Sequence, residues 1–397
     1  MLRNIMFQSF IFRSFFGIAA LFLLEQAFFM GGLMTDRDYM KRAIDLALRG
    51  TGHVNPNPLV GAVIVKDGRI IGEGYHASYG ALHAERDALA KCTEDCSGAT
   101  MYVTLEPCCH YGKQPPCTDA IIASGITRCI VGSPDPNPKV SGHGIEILRQ
   151  AGIEVITEFM REECDAINRP FLHFIQTGRP YIVMKYAMTA DGKIATRTRE
   201  SRWITGEIAR KRVHEDRNKY AAIMVGVGTV IADDPLLTCR IEGGKNPMRI
   251  ICDTNLRIPL DSQVVKTADQ AITVIATCSK NEEKIDALVD EGCWILNVPE
   301  KDGHINLNEL VKCIGEMNLD SIYIEGGGTL NWSALEAGIV DTLNIYIAPK
   351  ILGGKEAPSP VDGLGCEIPD GGFGLSSPKI TILGGDILLE SEVIKCL

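Results

Sequence analysis

Apolar residues recur every three or four positions behind Thr35-Asp36-Arg37-Asp38, at Met40, Ala43, Ile44, Ala47 and Leu48. A threonine followed three places later by an acid is a helix-start signal, so the pattern predicts an amphipathic helix and the beginning of a folded domain. Beyond Asn55-Pro56-Asn57-Pro58, two apolar stretches, Leu59 to Val65 and a return through Tyr75, flank Asp67-Gly68. That dipeptide between two such runs predicts a hairpin. The pattern continues with a helix from about His83 to Lys91, a strand Thr100 to Leu105, a Cys/Pro-rich loop, a helix Asp119 to Ser124 and a strand Arg128 to Val131. Strands alternating with helices predict a layered α/β domain.

Thr177-Gly178-Arg179-Pro180 is short, polar and helix-breaking, and a second series of strands starts behind it. Apolar runs at Tyr181 to Met188, Ala221 to Gly226, Arg249 to Asp253, Ile272 to Thr277, Ser321 to Glu325 and Thr342 to Ile347 alternate with helical segments. We therefore expect two α/β domains, residues 34–178 and 179–397. The chain length of 397 residues agrees with two domains.

Composition narrows the function. Forty Lys+Arg against fifty Asp+Glu give a net charge of −10, the wrong sign for a protein that tracks a phosphate backbone. The fourteen cysteines are mostly scattered singly rather than spaced as a disulfide framework, which predicts reduced thiols and a cytoplasmic protein. Residues 1–33 differ from the rest: they hold eight of the twelve phenylalanines around the apolar run Phe15 to Leu24. That run is shorter than the roughly 20 residues a membrane span needs. Two readings stand for it: an upstream start read in place of Met34, or a tethering or export segment. No membrane association of the folded part is expected.

The chemistry concentrates in His83-Ala84-Glu85, Pro107-Cys108 and Cys117. One imidazole and two thiolates are a soft ligand set that leaves one position open, as a catalytic zinc requires. Such a zinc lowers the pKa of its bound water to about 7, giving hydroxide at neutral pH. Glu85, two residues from His83, then carries protons rather than binding metal, the arrangement of zinc deaminases that attack an amidine carbon. Cys108 and Cys117 also fall where a loop feeds a helix, which favours thiolate. The competing reading is a structural zinc with Cys109 as fourth ligand; it leaves Glu85 without a task.

In the second half no Gly-x-Gly-x-x-Gly occurs, and Gly226-Val227-Gly228 lacks the third glycine. Ile324-Glu325-Gly326-Gly327-Gly328-Thr329-Leu330 is a strand ending in glycines that opens into a helix expected near Asn331. Bare N–H groups there suit a dinucleotide pyrophosphate, while a plain glycine turn is the alternative.

The loop Glu106-Pro107-Cys108-Cys109-His110-Tyr111-Gly112-Lys113-Gln114-Pro115-Pro116-Cys117 resembles that of the bifunctional riboflavin-biosynthesis deaminase/reductase family, usually called RibD or RibG. Pro56-Asn57-Pro58-x-Val60-Gly61 and Asp135-Pro136-Asn137-Pro138 extend the match. So do Lys185 to Ala195, Ser201-Arg202-Trp203-Ile204-Thr205 and Ala232 to Arg240 in the second half. Cys109 stands where the family usually has a small serine, and Arg199-Glu200 replaces a more usual Gly-Glu.

The resemblance implies a cytidine-deaminase-like three-layer α/β/α zinc domain followed by a dihydrofolate-reductase-like α/β domain. It implies deamination of a pyrimidinone ribosylamine 5′-phosphate, then NADPH reduction of the ribosyl to the ribityl chain, with one Zn2+ per chain. Deaminase substrate contacts are implied at Asn57, His76, His110, Lys113, Asp135 and Asn137. NADPH contacts fall on Ala187, Trp203, Thr229, Asp233 and the run Gly327, Gly328, Thr329, Leu330, Asn331, Trp332 and Ser333. Reductase substrate contacts fall on Lys185, Ser201, Arg217, Leu237, Arg240 and Glu325. Arg217 and Arg240 make sense as a guanidinium clamp on the 5′-phosphate, and Lys185 and Asp233 are candidates for proton handling. Small-molecule substrates, no nucleic acid and a homo-oligomer are expected. A deaminase with a merely binding second half, and a nucleic-acid-editing deaminase, are the rival classes; the acidic balance and the eight residues between Cys108 and Cys117 disfavour the latter.

Overall fold

The structure, a computed structural model, describes residues 34–112 and 114–394. The expectations for residues 1–33 and for Lys113 lie outside the described residues.

The first half follows the predicted order with shifted ends. It runs α1 (Asp36–Leu48), β1 (Gly61–Lys66), β2 (Arg69–Tyr75), α2 (Ala84–Ala90), β3 (Thr100–Leu105), α3 (Cys117–Ala123), β4 (Arg128–Ser133), α4 (His143–Gln150), β5 (Glu154–Ile156), α5 (Arg161–Ile167) and α6 (Arg169–Thr177). Thr35 caps α1 with the reciprocal bonds foreseen, its hydroxyl taking the Asp38 N–H while Asp38 accepts the Thr35 N–H. Asp67 and Gly68 both adopt positive φ, 49° and 73°, so Lys66 pairs directly with Arg69 across a two-residue turn.

The five strands form one sheet in the order β2-β1-β3-β4-β5, antiparallel at β2, β1 and β3 and parallel from β3 onward. Both faces are covered. Ala62, Ile64, Met101 and Val103 pack with Ala84, Ala88, Ile121 and Leu148 on one side, whereas Val63, Val65, Tyr102 and Ile130 pack with Tyr39, Met40, Ala43 and Leu46 on the other. Helix on both faces explains why β1 reads as an unbroken apolar run. Close approach is enforced by Gly74: a Cβ there would lie 2.2 Å from the Ala88 nitrogen and 2.4 Å from the Ala84 oxygen, so this position seats α2 against the sheet.

The second half continues with β6 (Tyr181–Thr189), α7 (Glu207–Lys219), β7 (Ala222–Gly226), α8 (Val227–Asp233), β8 (Met248–Cys252), α9 (Gln263–Lys266), β9 (Thr273–Thr277), α10 (Glu282–Asp290) and β10 (Trp294–Asn297). A small hairpin, β11 (Glu300–Lys301) and β12 (His304–Ile305), precedes α11 (Leu307–Glu316), β13 (Ser321–Ile324), α12 (Gly328–Glu336) and β14 (Thr342–Ala348). β15 (Gly374–Leu375), β16 (Lys379–Leu383) and β17 (Asp386–Ile394) close the chain. Along the main sheet the order is β10-β9-β8-β7-β13-β6-β14-β17-β15, and β16 pairs with β17. All pairs from β10 to β14 are parallel. Ile182, Met184, Ile322 and Ile324 face α11 and α12, while Ile223, Val225 and Ile251 face Val230 and Val264.

Candidate active sites

His83 is the N-cap residue of α2, which sets its imidazole at the helix mouth and Glu85 within the first turn. β3 runs at its C-terminal end into Glu106-Pro107-Cys108, and Cys117 is the first residue of α3 behind Pro116. The His83 Nδ1 lies 3.4 Å from each of the Cys108 and Cys117 sulfurs, and the three ligand atoms fall within 4.8 Å of one another. Two sulfurs this close compete for one negative charge. Cys108 is held down to about 4, first by the hydrogen bond from the Cys117 thiol, and Cys117 rises correspondingly. A divalent cation between them is what allows both to ionise, so this donor set fits zinc.

Glu85 is 3% exposed, and burial pushes its carboxyl up to about 7. Cys109 turns away, its thiol donating to the Lys139 carbonyl at 3.5 Å. That position argues against the structural zinc with Cys109 as fourth ligand.

Around this cluster, His76 is 3% exposed and its Nδ1 meets the Leu82 carbonyl at 3.0 Å. The carbonyl can only accept, so Nδ1 carries the proton and Nε2 accepts from the Asn57 amide at 3.1 Å. Asn57 Oδ1 is thereby left as an available acceptor. Asp135 is buried, which pushes it up to about 6, and its Oδ1 accepts the Asn137 N–H at 2.9 Å. Asn137 in turn accepts from the Lys139 N–H, the turn chemistry expected of Asn-Pro. Among the described residues, His110 presents a buried Nδ1 without a hydrogen-bond partner.

Two residues that sequence reasoning passed over hold this loop system together. Glu106, 3% exposed, accepts the N–H groups of Asp135, Gly142 and Ile145. Arg86 donates to the carbonyls of Pro115 and Pro116, pinning the segment that delivers Cys117. Their signal was only adjacency to Pro107 and Glu85.

In the second half a cavity of about 1310 Å³ opens at the C-terminal ends of the parallel strands, the expected place for a ligand in an open α/β sheet. Lys185, Ala187, Ser201, Trp203, Arg217, Thr229, Asp233, Arg240 and Glu325 line it, as do Gly327 to Asn331 and Ser333. α12 starts at Gly328, three residues before the expected Asn331. Gly326 and Gly327 hold φ of 106° and 82°, a backbone only glycine adopts easily, and the cradle they form beside the helix start fits a dinucleotide phosphate.

Two expected contacts sit elsewhere. The Leu237 side chain is 2% exposed and packs in the apolar core with Val225 and Val230, and Trp332 packs edge-on against Phe373. Neither lines the cavity. Arg217 lines it but is already engaged, with Glu325 through two bonds of 2.5 and 2.8 Å and with the Thr238 carbonyl at 3.0 Å. Arg240 is exposed and has no such partner holding it among the described residues. Burial lowers Lys185, against the opposing pull of Glu325.

Fold and site together define a protein of two catalytic units, a cytidine-deaminase-like zinc domain followed by a reductase domain with a nucleotide cradle. Residues 33–133 match the cytidine and deoxycytidylate deaminase zinc-binding region, and residues 180–388 match the RibD C-terminal domain. The chain is 54% identical over 364 residues to the riboflavin biosynthesis protein RibD of Actinobacillus pleuropneumoniae, covering 92% of this chain and 97% of that one. It is 41% identical to the RibD of Escherichia coli over 81% of this chain and 89% of that one. Among solved structures, Acinetobacter baumannii RibD superposes with a TM-score of 0.81 at 35% identity, covering 90% of this chain and 98% of that one. A diaminohydroxyphosphoribosylaminopyrimidine deaminase/5-amino-6-(5-phosphoribosylamino)uracil reductase from Thermotoga maritima gives 0.77 at 37%, with coverage of 90% and 98%. The chain belongs to the RibD family of riboflavin biosynthesis proteins.

Proposed function

We propose that this chain performs both reactions of its family: hydrolytic deamination of 2,5-diamino-6-ribosylamino-4(3H)-pyrimidinone 5′-phosphate, then NADPH-dependent reduction of the ribosyl to the ribityl side chain. The observation that carries the reading is the buried Glu85 beside the His83, Cys108 and Cys117 cluster, on one chain with the glycine-cradled cavity. We assign residues 34–178 to the deaminase and 179–397 to the reductase, with residues 1–33 an extension.

His83, Cys108 and Cys117 would hold the zinc, which supplies the Lewis acidity that makes water a nucleophile near neutral pH. Glu85 would take one proton at its carboxylate from the attacking water and pass it to the ring nitrogen, then carry a second from the added hydroxyl to the departing amine; burial suits it to both directions near neutrality. Asn57 and Asp135 orient the base from opposite loops, with His76, His110, Lys113 and Asn137 completing the substrate contacts.

In the second cavity NADPH supplies the hydride. Gly327 to Ser333, Ala187, Trp203, Thr229 and Asp233 would hold it. Arg240, with the two N–H groups that Arg217 does not spend on Glu325 and Thr238, takes the substrate phosphate, and Ser201 and Lys185 face the sugar. Lys185, its charge disfavoured by burial, is suited to hand over a proton. For Leu237 and Trp332 the reading retains only a main-chain or supporting role.

No helix among the described residues is long and apolar enough to cross a membrane. Every described cysteine is free, which supports a reducing, cytoplasmic setting. Ile380 and Ile382 on the outlying strand β16 are 61% and 65% exposed, an apolar edge that supports a homo-oligomer. The deciding experiment is product analysis of the purified, zinc-loaded chain with the pyrimidinone substrate. Deaminated product without NADPH, and ribityl product with it, are expected; ammonia release with no NADPH consumption would reduce the second half to a binding module.

A further inference from the structure

The loop that carries Asn57 is not held by the deaminase half alone. Asn55, two residues earlier, donates its side-chain amide to both carboxylate oxygens of Asp320, at 2.9 Å each. Asp320 belongs to the other half, at the N-terminal end of β13. It is 2% exposed and no ion pair reaches it among the described residues; its further support is the Ser321 hydroxyl at 2.7 Å. The same loop is gripped a second time. Asn218 donates to the Thr51 carbonyl at 3.2 Å, and a Cβ at Gly52 would lie 2.4 Å from the Asn218 oxygen, so the two backbones meet at a position open only to glycine.

A carboxylate is costly to bury without a cation, and the cost is offset only where its donors are well placed. Here the donor that crosses between the halves is Asn55. From it the chain of contacts is short: Asn57 is fixed by its own N–H to the Val54 carbonyl and reaches His76, whose ring stands edge-on to His83 with centroids 5.6 Å apart.

We propose that Asp320 is a positioning residue for deamination, acting across the domain interface: through Asn55 it sets the loop that aims Asn57 and His76 at the pyrimidine substrate. The inference rests on the reading of Asn57 as a substrate contact. It makes the reductase half a structural part of the deaminase site, so the covalent joining of the two domains serves substrate binding in the first of them.

The test uses the full-length, zinc-loaded chain and measures kcat and KM for deamination, and separately for NADPH-dependent reduction of supplied deaminated product. Asp320→Ala is expected to raise the deaminase KM about tenfold or more, as a loop displaced by a fraction of an ångström does, with kcat within about twofold. Reduction and zinc content stay unchanged. Asp320→Asn, which keeps an acceptor for the Asn55 amide, restores most of the affinity. Asn55→Ala reproduces the effect from the deaminase side and serves if Asp320→Ala does not fold, and the double variant is no worse than either single one.

An unchanged deaminase KM in folded Asp320→Ala or in Asn55→Ala overturns the proposal. So does a parallel fall in both activities, which marks a general folding defect. Asn57→Ala separates the two levels. If it leaves deaminase KM unaltered, the reading of Asn57 fails; if it raises KM while Asp320→Ala and Asn55→Ala do not, only the present inference fails.

Discussion

Arg217 and Glu325 face each other across the wall of the reductase cavity in a two-bond pair, Nε to Oε1 at 2.5 Å and Nη2 to Oε2 at 2.8 Å, with both side chains about a tenth exposed. Planar guanidinium against planar carboxylate is the geometry in which arginine cannot be exchanged for lysine. The pair stands at the end of β13, where the strand gives way to the glycine cradle, so it fixes the floor of the cavity as well as its charge.

Breaking that pair is expected to cost about 3–5 kcal/mol of stability in Arg217→Ala, because a buried carboxylate is left alone. Thermal unfolding of the second half then falls by about 2–4 °C for each kcal/mol, and the reductase KM rises while deamination is kept. Replacing both partners by methionine removes the lone charge, so stability returns but reduction does not. If the double variant regains activity, the pair is scaffold only. The pH dependence follows from Glu325: burial alone would raise its carboxyl, but Arg217 overrides it and holds the group below its ordinary value of 4.5. A depressed acid stabilises the fold fully above that ordinary value and loses the contribution as pH falls through the lowered one. Acid unfolding of Glu325→Gln is therefore expected to show a flatter pH dependence below about 4.5 than the parent chain.

Glu85 separates metal binding from proton transfer. Glu85→Gln keeps the shape of the buried side chain and leaves His83, Cys108 and Cys117 in place, so about one zinc per chain is expected by metal analysis, with deamination down about 10²–10⁴-fold. Loss of zinc in this variant would make Glu85 a ligand and end the mechanism given for it.

Cys109 offers the complementary control. Its thiol points to the Lys139 carbonyl and away from the ligand cluster, so Cys109→Ser is expected to keep both zinc content and deamination rate within about twofold. A metal-free Cys109→Ser protein would mean that the other member of the vicinal pair is the ligand.

What was legible in the sequence was local. The Thr35 cap, the Asp67-Gly68 turn and the strand that delivers Cys108 all depend on residues within a few positions of one another, and each formed within a few residues of its expected place. The zinc cluster was legible for another reason: few chemistries need one imidazole, two thiols and a nearby acid in that order. Contacts set by tertiary packing were not legible. Nothing near Arg217 in sequence announces that Glu325, 108 residues away, takes two of its N–H groups, nor that Asn55 meets Asp320, 265 residues away. Leu237 reads as one more residue beside Arg240, yet a φ of 54° turns it into the core. β16 and β17 escaped notice because the exposed isoleucines of the outlying β16 and the alternating burial of β17 lack the two-sided burial that makes the central strands conspicuous.

The glycine cradle can be tested without touching any charged group. Gly327 sits at φ 82° and ψ 125°, outside the regions open to residues with a Cβ, and an added Cβ would lie 3.3 Å from the Thr229 hydroxyl. Gly327→Ala is expected to shift this backbone, raising the NADPH KM at least about tenfold and leaving deamination unaltered. Strain alone could also loosen α12, so a second glycine separates the causes. Gly228 lines the same cavity, and a Cβ there meets nothing within 4 Å. Gly228→Ala should therefore fold with the parent stability, and any rise in its NADPH KM reports a methyl group placed where the dinucleotide packs. If Gly327→Ala lowers the melting temperature yet keeps its NADPH KM, the glycines serve the turn and the phosphates lie elsewhere along the cavity.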